Sequence, residues 1–196
     1  MVKSLTDEAL NQLFDDARTH NAWQDRPVPP SLLEKVWNRA KWGPTSANCC
    51  PLRVVFVVSQ DAKARLEPCL MDGNREKTMA APATAIFGHD MTFYERLPRL
   101  FPHTDARSWF AGNAALIDET AFRNGTLQAA YFMLACRAVG LDCGPMSGFD
   151  KAKVEAEFFT GLNVNANFLC NVGYGDPAGL FERAPRPGFD EDCKII

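Results

Sequence analysis

Residues 119–139 read ETAFRNGTLQAAYFMLACRAV and run on into GLDCGPMSG, residues 140–148. Thirteen of the first 21 are apolar, and the eight residues Ala129–Cys136 are apolar without a break. A surface helix keeps a polar face, whereas such a run covers every face. The stretch therefore predicts one long helix, Glu119 to about Val139, crossing the core as a spine roughly 30 Å long. Gly140 is a stop signal. Three glycines and a proline between Gly140 and Gly148 are too many for a regular element, so 141–150 is expected to be a loop. It is either a tight turn or a loop whose bared backbone lets a flat ligand approach.

The sequence on either side alternates helices with short apolar strands. Ser4 opens a first helix that fades near Arg18, and Pro29-Pro30-Ser31 opens a second through Ala40. Arg53–Val58, Ala83–Gly88 and Asn167–Val172 read as buried strands. Helices are expected over 61–70, from Gly73 and from Asp150 to about Phe159. The result is an α+β or three-layer α/β/α fold in a single domain spanning 1–196. Residues 91–113 carry Phe93, Tyr94, Phe101, Trp109 and Phe110 among Arg96, Arg99, His103 and Arg107. They form a lid, a surface excursion pinned by aromatics, or a subunit contact. Residues 180–196 suit an extended C-terminal arm.

The chain has 196 residues, 46% apolar, with a net charge of −3. That suffices for a full core and argues against non-specific nucleic-acid binding, which needs a basic balance. Seven cysteines without a regular spacing argue against a disulfide framework, and Cys136 and Cys170 read as buried small hydrophobes. No zinc spacing appears, and His20, His89 and His103 stand apart. Residues 1–8 have no apolar core for export, and no stretch is long and apolar enough to span a membrane. A cytoplasmic protein is expected. Gly-x-Gly-x-x-Gly after a strand, Gly-Lys-Ser/Thr and Gly-x-Ser-x-Gly are all missing.

Two polar segments carry candidate chemistry. Arg18-Thr19-His20-Asn21 beside a helix end suits a phosphate, or equally a solvated linker before Pro27. Pro44-Thr45-Ser46-Ala47-Asn48 between helix and strand is richer in hydrogen-bonding groups than a plain connection requires.

Five separated motifs resemble the FMN-dependent nitroreductase family, in its order and over essentially the whole chain. Arg18-Thr19-His20-Asn21 resembles its N-terminal phosphate motif. Trp42-Gly43-Pro44-Thr45-Ser46-Ala47-Asn48 resembles its flavin loop. Asn74-Arg75-Glu76-Lys77 resembles its contacts to the flavin ring and ribityl chain. Pro145-Met146-Ser147-Gly148 resembles the loop beside the reactive edge of the ring. Gly173-Tyr174-Gly175 with Arg183-Ala184-Pro185 resembles its C-terminal end, where the arginine holds the phosphate. Further stretches, among them 93–98, 105–110 and 144–150, are similar to the branch of the family that reduces malonic semialdehyde in pyrimidine utilisation. There are two departures. Asn21 stands where the family carries a second cation, which shifts phosphate binding toward Arg183 with Arg186. Ser147 stands where many relatives carry a glutamate.

The resemblance implies an interlocked homodimer with FMN at the interface. NADH or NADPH delivers a hydride, which then passes to a small aldehyde by ping-pong turnover. It assigns cofactor binding to Arg18, Thr19, His20, Asn21, Pro44, Thr45, Ser46, Asn48, Asn74, Lys77, Pro145, Met146, Ser147, Gly148 and Arg183. A semialdehyde carries a carboxylate, so Arg96, Arg99, His103 and Arg107 are candidate anchors. The sequence does not choose a proton donor among Tyr94, His20 and water. A broad nitro- or quinone-reductase and a non-catalytic flavin-binding protein remain the alternatives.

Overall fold

The computed structural model describes residues 3–196, so positions 1 and 2 of the N-terminal stretch lie outside the described residues. Thr6, rather than Ser4, caps the first helix: its hydroxyl accepts from Ala9 N at 3.3 Å, and α1 spans Asp7–Leu10. A π-helical turn, Asn11–Asp15, continues it and stops short of Arg18. α2 (Pro30–Ala40) starts on a proline, where no N–H is needed, and buries Leu33, Val36 and Ala40. β1 (Leu52–Val57) leads into α3 (Gln60–Leu66), which Ser59 caps. α3 is shorter than the 61–70 expected, because Pro68 sits in a 3-10 turn over Glu67–Cys69. Next come α4 (Asp72–Ala80), β2 (Ala83–Asp90), α5 (Leu97–Leu100) and α6 (Ala114–Ala138). β3 (Asp142–Met146), α7 (Lys151–Phe158), β4 (Val164–Gly173) and α8 (Phe189–Asp192) complete the chain.

The four strands form one antiparallel sheet in the order β1-β2-β4-β3. Every residue of β2 is buried, since helices cover both faces. On one face Ala83, Ala85, Phe87, Cys170 and Val172 pack against α2 and α6. On the other, Ile86, Leu169 and Ala166 meet Leu66 of α3 and Val154 of α7. This is the three-layer α/β/α arrangement expected.

The spine forms, with two corrections. It begins five residues early, because Asn113 caps it by accepting from Leu116 N at 3.1 Å. It also lies along the surface of the chain instead of crossing its core. Ala129, Phe132 and Cys136 are buried, while the opposite stripe of Phe122, Leu127 and Tyr131 stays 48%, 45% and 40% exposed.

The loop expected over 141–150 is overturned over part of its length, because Asp142–Met146 is a strand. β3 is an edge strand, and proline is tolerated there because an outward position needs no donor. The Cys143 carbonyl accepts from His20 N at 3.0 Å on the side away from β4, and Pro145 faces the same way two residues on.

The 91–113 segment is pinned by its aromatics. Phe93 and Phe110 meet edge-on at 5.0 Å and pack with Leu97 and Ala106 on Ile117 and Ala121 of α6. Residues 181–196 are exposed throughout, Phe181 among them, and no helix among the described residues is long and apolar enough to cross a membrane.

Candidate functional site

The segment 18–24 lies along the outer side of β3 and the end of β4. Thr19 bridges Cys143, Trp23 bridges Gly175, and Gln24 N donates to Tyr174 O at 2.8 Å. This alignment carries Asn21 to α4, where its Oδ1 accepts from Lys77 Nζ at 3.1 Å. The turn of α4 around Lys77 is itself fixed. Its carbonyl accepts from Trp23 Nε1 at 3.1 Å and from Asn171 Nδ2 at 3.3 Å. One turn earlier, Asn74 Nδ2 donates to Gly148 O at 2.9 Å, which draws the 146–148 segment onto α4. Thr78 Oγ1 donates to Met146 Sδ at 3.4 Å. The structure thus brings together 18–21, 74–77 and 145–148.

The C-terminal arm closes this group. Arg18 donates to Phe181 O, and Arg183 donates back to Asp15 O and, at 3.3 Å, to Ala17 O. Between these two crossings lies a cavity of about 260 Å³. Arg18, Thr19, Asn21, Arg183 and Arg186 line it, as does Arg137 from the last turn of α6. Four guanidinium groups against one carboxylate, that of Glu182, give so small a space a net positive lining that suits an oxyanion such as a phosphate. Arg137 was not anticipated; the one signal was a lone cation directly after the apolar run 129–136. It donates to Leu13 O at 3.0 Å, while its Nε is buried without a partner.

His20 is only 7% exposed; its Nε2 lies 3.5 Å from Asp142 Oδ1, and its ring lies against Gly175. This contact holds the 18–24 segment against the sheet.

The flavin-loop motif is elsewhere. Pro44, Thr45, Ser46 and Asn48 precede β1, at the opposite edge of the sheet from β3. Three strand spacings separate the two edges, roughly 14 Å. Buried Asn124 of α6 holds the loop by accepting from Ser46 N at 2.8 Å. Thr45 Oγ1 accepts from Cys50 N at 3.2 Å, and Asn48 Nδ2 donates to Leu100 O at 2.8 Å. Ala47, Asn48 and Cys50 take φ values of 49°, 49° and 42°. Left-handed conformations of non-glycine residues cost about 1 kcal/mol or more each and concentrate where function fixes the backbone. Burial pushes the Cys49 thiol up to about 12, leaving it an inert packing residue.

The four candidate anchors separate clearly. Arg107 is held in a two-pronged pair by Glu95, with Nε and Nη2 each 2.7 Å from a carboxylate oxygen. That pair lowers the Glu95 pKa and raises that of Arg107. His103 stacks edge-on against Phe101 at 5.4 Å on the exposed side. Arg96 and Arg99 instead line a cleft beside the 41–50 loop. Burial, followed by the neighbouring Arg53 and Arg99, lowers the Arg96 pKa.

A family model described as "Nitroreductase family" matches residues 15–175. A protein of Burkholderia lata named "Putative NADH dehydrogenase/NAD(P)H nitroreductase" is 64% identical over 192 residues, covering 98% of each chain. Among solved structures, one from Exiguobacterium sibiricum, titled as a nitroreductase in complex with FMN, superposes with a TM-score of 0.85 at 17% identity, covering 100% of both chains. CLA-ER, an enone reductase of gut-bacterial fatty acid saturation, superposes at 0.83 with 16% identity, over 98% of this chain and 100% of its own.

Proposed function

The chain belongs to the nitroreductase family, and on that premise we propose that it is an FMN-dependent NAD(P)H oxidoreductase that reduces malonic semialdehyde to 3-hydroxypropanoate. The observation that carries the cofactor is the arginine-lined cavity, whose wall includes Asn21, the hydrogen-bond partner of Lys77. Its donor set fits a phosphate, and beyond Asn21 the Lys77 and Asn74 side chains offer polar groups to a flat, hydrogen-bonding ring. Arg18, Arg137, Arg183 and Arg186 would hold the phosphate. Lys77, Asn74 and the 145–148 backbone would meet the ring. When bound, the flavin supplies a two-electron store that is filled by a nicotinamide hydride and emptied onto a carbonyl.

The chain's own residues supply position and charge. Lys77 would bring a cation to a flavin held there, whose ring gains negative charge on reduction. Asn21 holds Lys77 there. The Trp23 and Asn171 bonds to the Lys77 carbonyl fix the turn from which it projects.

We read the active form as a homodimer. The 44–48 loop and the 145–148 segment sit on opposite edges of one sheet, so a single site that uses both needs a second chain. The bare Phe122, Leu127 and Tyr131 stripe and the exposed 181–196 arm support this reading. A soluble monomer seldom leaves such a stripe uncovered.

The test is the purified protein's spectrum. A flavin absorbance that bleaches with NADH or NADPH and returns with malonic semialdehyde is expected, as is a solution mass near twice 21.7 kDa. Protein that stays colourless after incubation with FMN would sink the reading. Leu127→Asp should give a monomer that has lost its flavin.

A broad nitro- or quinone-reductase is the second reading, favoured by the name of the Burkholderia lata relative. A higher kcat/KM for a nitroaromatic than for the semialdehyde would select it.

A further inference from the structure

We infer that the cleft between the 41–50 loop and α5 is an oxyanion site, built to hold the carboxylate of a short aldehyde acid. The inference rests on the aldehyde reading above and deepens it. The cleft has a volume of about 490 Å³, and Lys41, Arg53, Arg96 and Arg99 line it with no carboxylate among the lining residues. Asp90 is a neighbouring acid, and both of its carboxylate oxygens are engaged. One oxygen pairs with Arg53, and the other accepts from Thr92 N at 2.7 Å and from Thr92 Oγ1 at 2.6 Å. Neither Arg96 nor Arg99 makes an ion pair among the described residues.

Asp90 is the counter-ion of Arg53, so the cations of the cleft outnumber the acid beside them and the excess like charges repel one another. Arg96 bears that cost together with partial burial, both of which disfavour its cation. A bound anion removes the repulsion and supplies the missing acceptor. The cleft is also apolar on one wall, through Trp37, Leu52 and Leu100, so a bound carboxylate would be shielded from water on that side. Cys50 lines the same cleft, and apart from Cys193 it is the only cysteine that is not buried. It therefore serves as a built-in reporter.

The site belongs to the same structural unit as the flavin loop. Asn48 donates to Leu100 O, which ties the loop to the α5 turn that carries Arg99. The dimer reading requires this unit to face the 145–148 segment of a second chain, where an anchored carboxylate would stand beside the reacting carbonyl.

The experiment is calorimetric titration of the FMN-loaded protein with malonate, its neutral diamide and adenosine 2′-phosphate. Malonate should bind and the diamide should not. Arg96→Gln and Arg99→Gln should each weaken malonate about ten- to hundredfold, as loss of a charged hydrogen bond does, and Arg96→Lys should recover part of that loss. Malonate should also slow alkylation of Cys50 in a Cys193→Ser background. Malonate that fails to bind, or that binds Arg96→Gln and Arg99→Gln as tightly as the unsubstituted protein, overturns the assignment. Adenosine 2′-phosphate binding more tightly than malonate, and losing affinity in the same variants, would give the cleft to a nucleotide phosphate and overturn the carboxylate assignment. Malonate binding without semialdehyde turnover would leave the cleft standing and remove the substrate. Turnover indifferent to Arg96 would do the reverse.

Discussion

Gly148→Ala separates the stability of this fold from the working of its site. A Cβ at Gly148 would come closer than 3.0 Å to Asn74 Nδ2, with Met71 Sδ at 3.6 Å behind it. Asn74 is the movable partner, so the amide swings out and its bond to the Gly148 carbonyl is lost. A net hydrogen bond of this kind contributes about 0.5–1.5 kcal/mol. The carbonyl is not orphaned, because Met71 N still donates to it at 3.2 Å. Gly148 is not in the left-handed region, so alanine adds no backbone strain and recovers about 0.4–1 kcal/mol from the unfolded chain. The two effects nearly cancel, and urea unfolding of the apoprotein should shift by less than about 1 kcal/mol. Flavin affinity should nevertheless fall about five- to tenfold, because the Asn74 amide no longer points into the site. Fluorescence titration of FMN into apoprotein reads this directly. Asn74→Ala should lose the same amount and also vacate the space, so in its background Gly148→Ala should be silent. Losses that add in the double variant would show that the new methyl acts on the cofactor itself, and the argument through Asn74 would be wrong.

Gly175→Ala should behave in the opposite way, because a Cβ there meets the His20 ring and that ring is buried with nowhere to go. Overpacking of this kind costs about 1–3 kcal/mol, and a melting temperature unchanged from the parent would refute it. Burial lowers the His89 pKa, so the folded protein holds that ring neutral while the unfolded chain protonates it below about pH 6.5. Stability from this source is complete above about pH 6.5 and falls as the pH drops toward the folded value, because the unfolded state then binds more protons. His89→Leu should flatten that part of the urea-unfolding profile between pH 7.5 and 5.5, and an identical slope would count against it. Asn21→Arg would bring the sequence closer to the family's phosphate motif. It should still weaken FMN binding in the same titration, because it removes the acceptor 3.1 Å from Lys77 Nζ and sets a like charge beside it. Tighter binding would show that Asn21 is an expendable gap in the cation set.

Much of this fold could be read from local pattern. The Ala129–Cys136 run and Gly140 announced the spine and its end, and Gly140 has a φ of 79° where the helix stops. β2 and β4 were visible through the apolar runs Ala85–Phe87 and Phe168–Cys170, which burial on both faces favours. β3 was hidden because composition says nothing about where in a sheet a strand lies. Gly144 and Pro145 are poor residues for a central strand, yet they suit an edge along which another segment runs. A Cβ at Gly144 would strike the His20 carbonyl. The exposed face of α6 was hidden for a related reason. An apolar run shows that a face needs cover without showing whether the same chain provides it.

The site was legible as a set of segments and illegible as a set of contacts. Order along the chain pointed to 18–21, 74–77, 145–148 and Arg183, which the fold brings together, and to 44–48, which it holds apart. Within those segments the residue types do not show which partner each side chain takes. His20 lies against Asp142, and the Asn48 amide is turned toward the Leu100 carbonyl. Two further cations came from outside every motif. Arg137 stands 116 positions after Asn21 in the chain and joins the same cavity. It brings positive charge to a motif that has lost one of its own cations, and it does so from the last turn of a helix whose buried face mainly serves packing. Arg53 stands on β1, and its engagement of Asp90 leaves Arg96 and Arg99 without an acid. No local pattern encodes either effect, since each depends on which strand lies at an edge and which helix end reaches it.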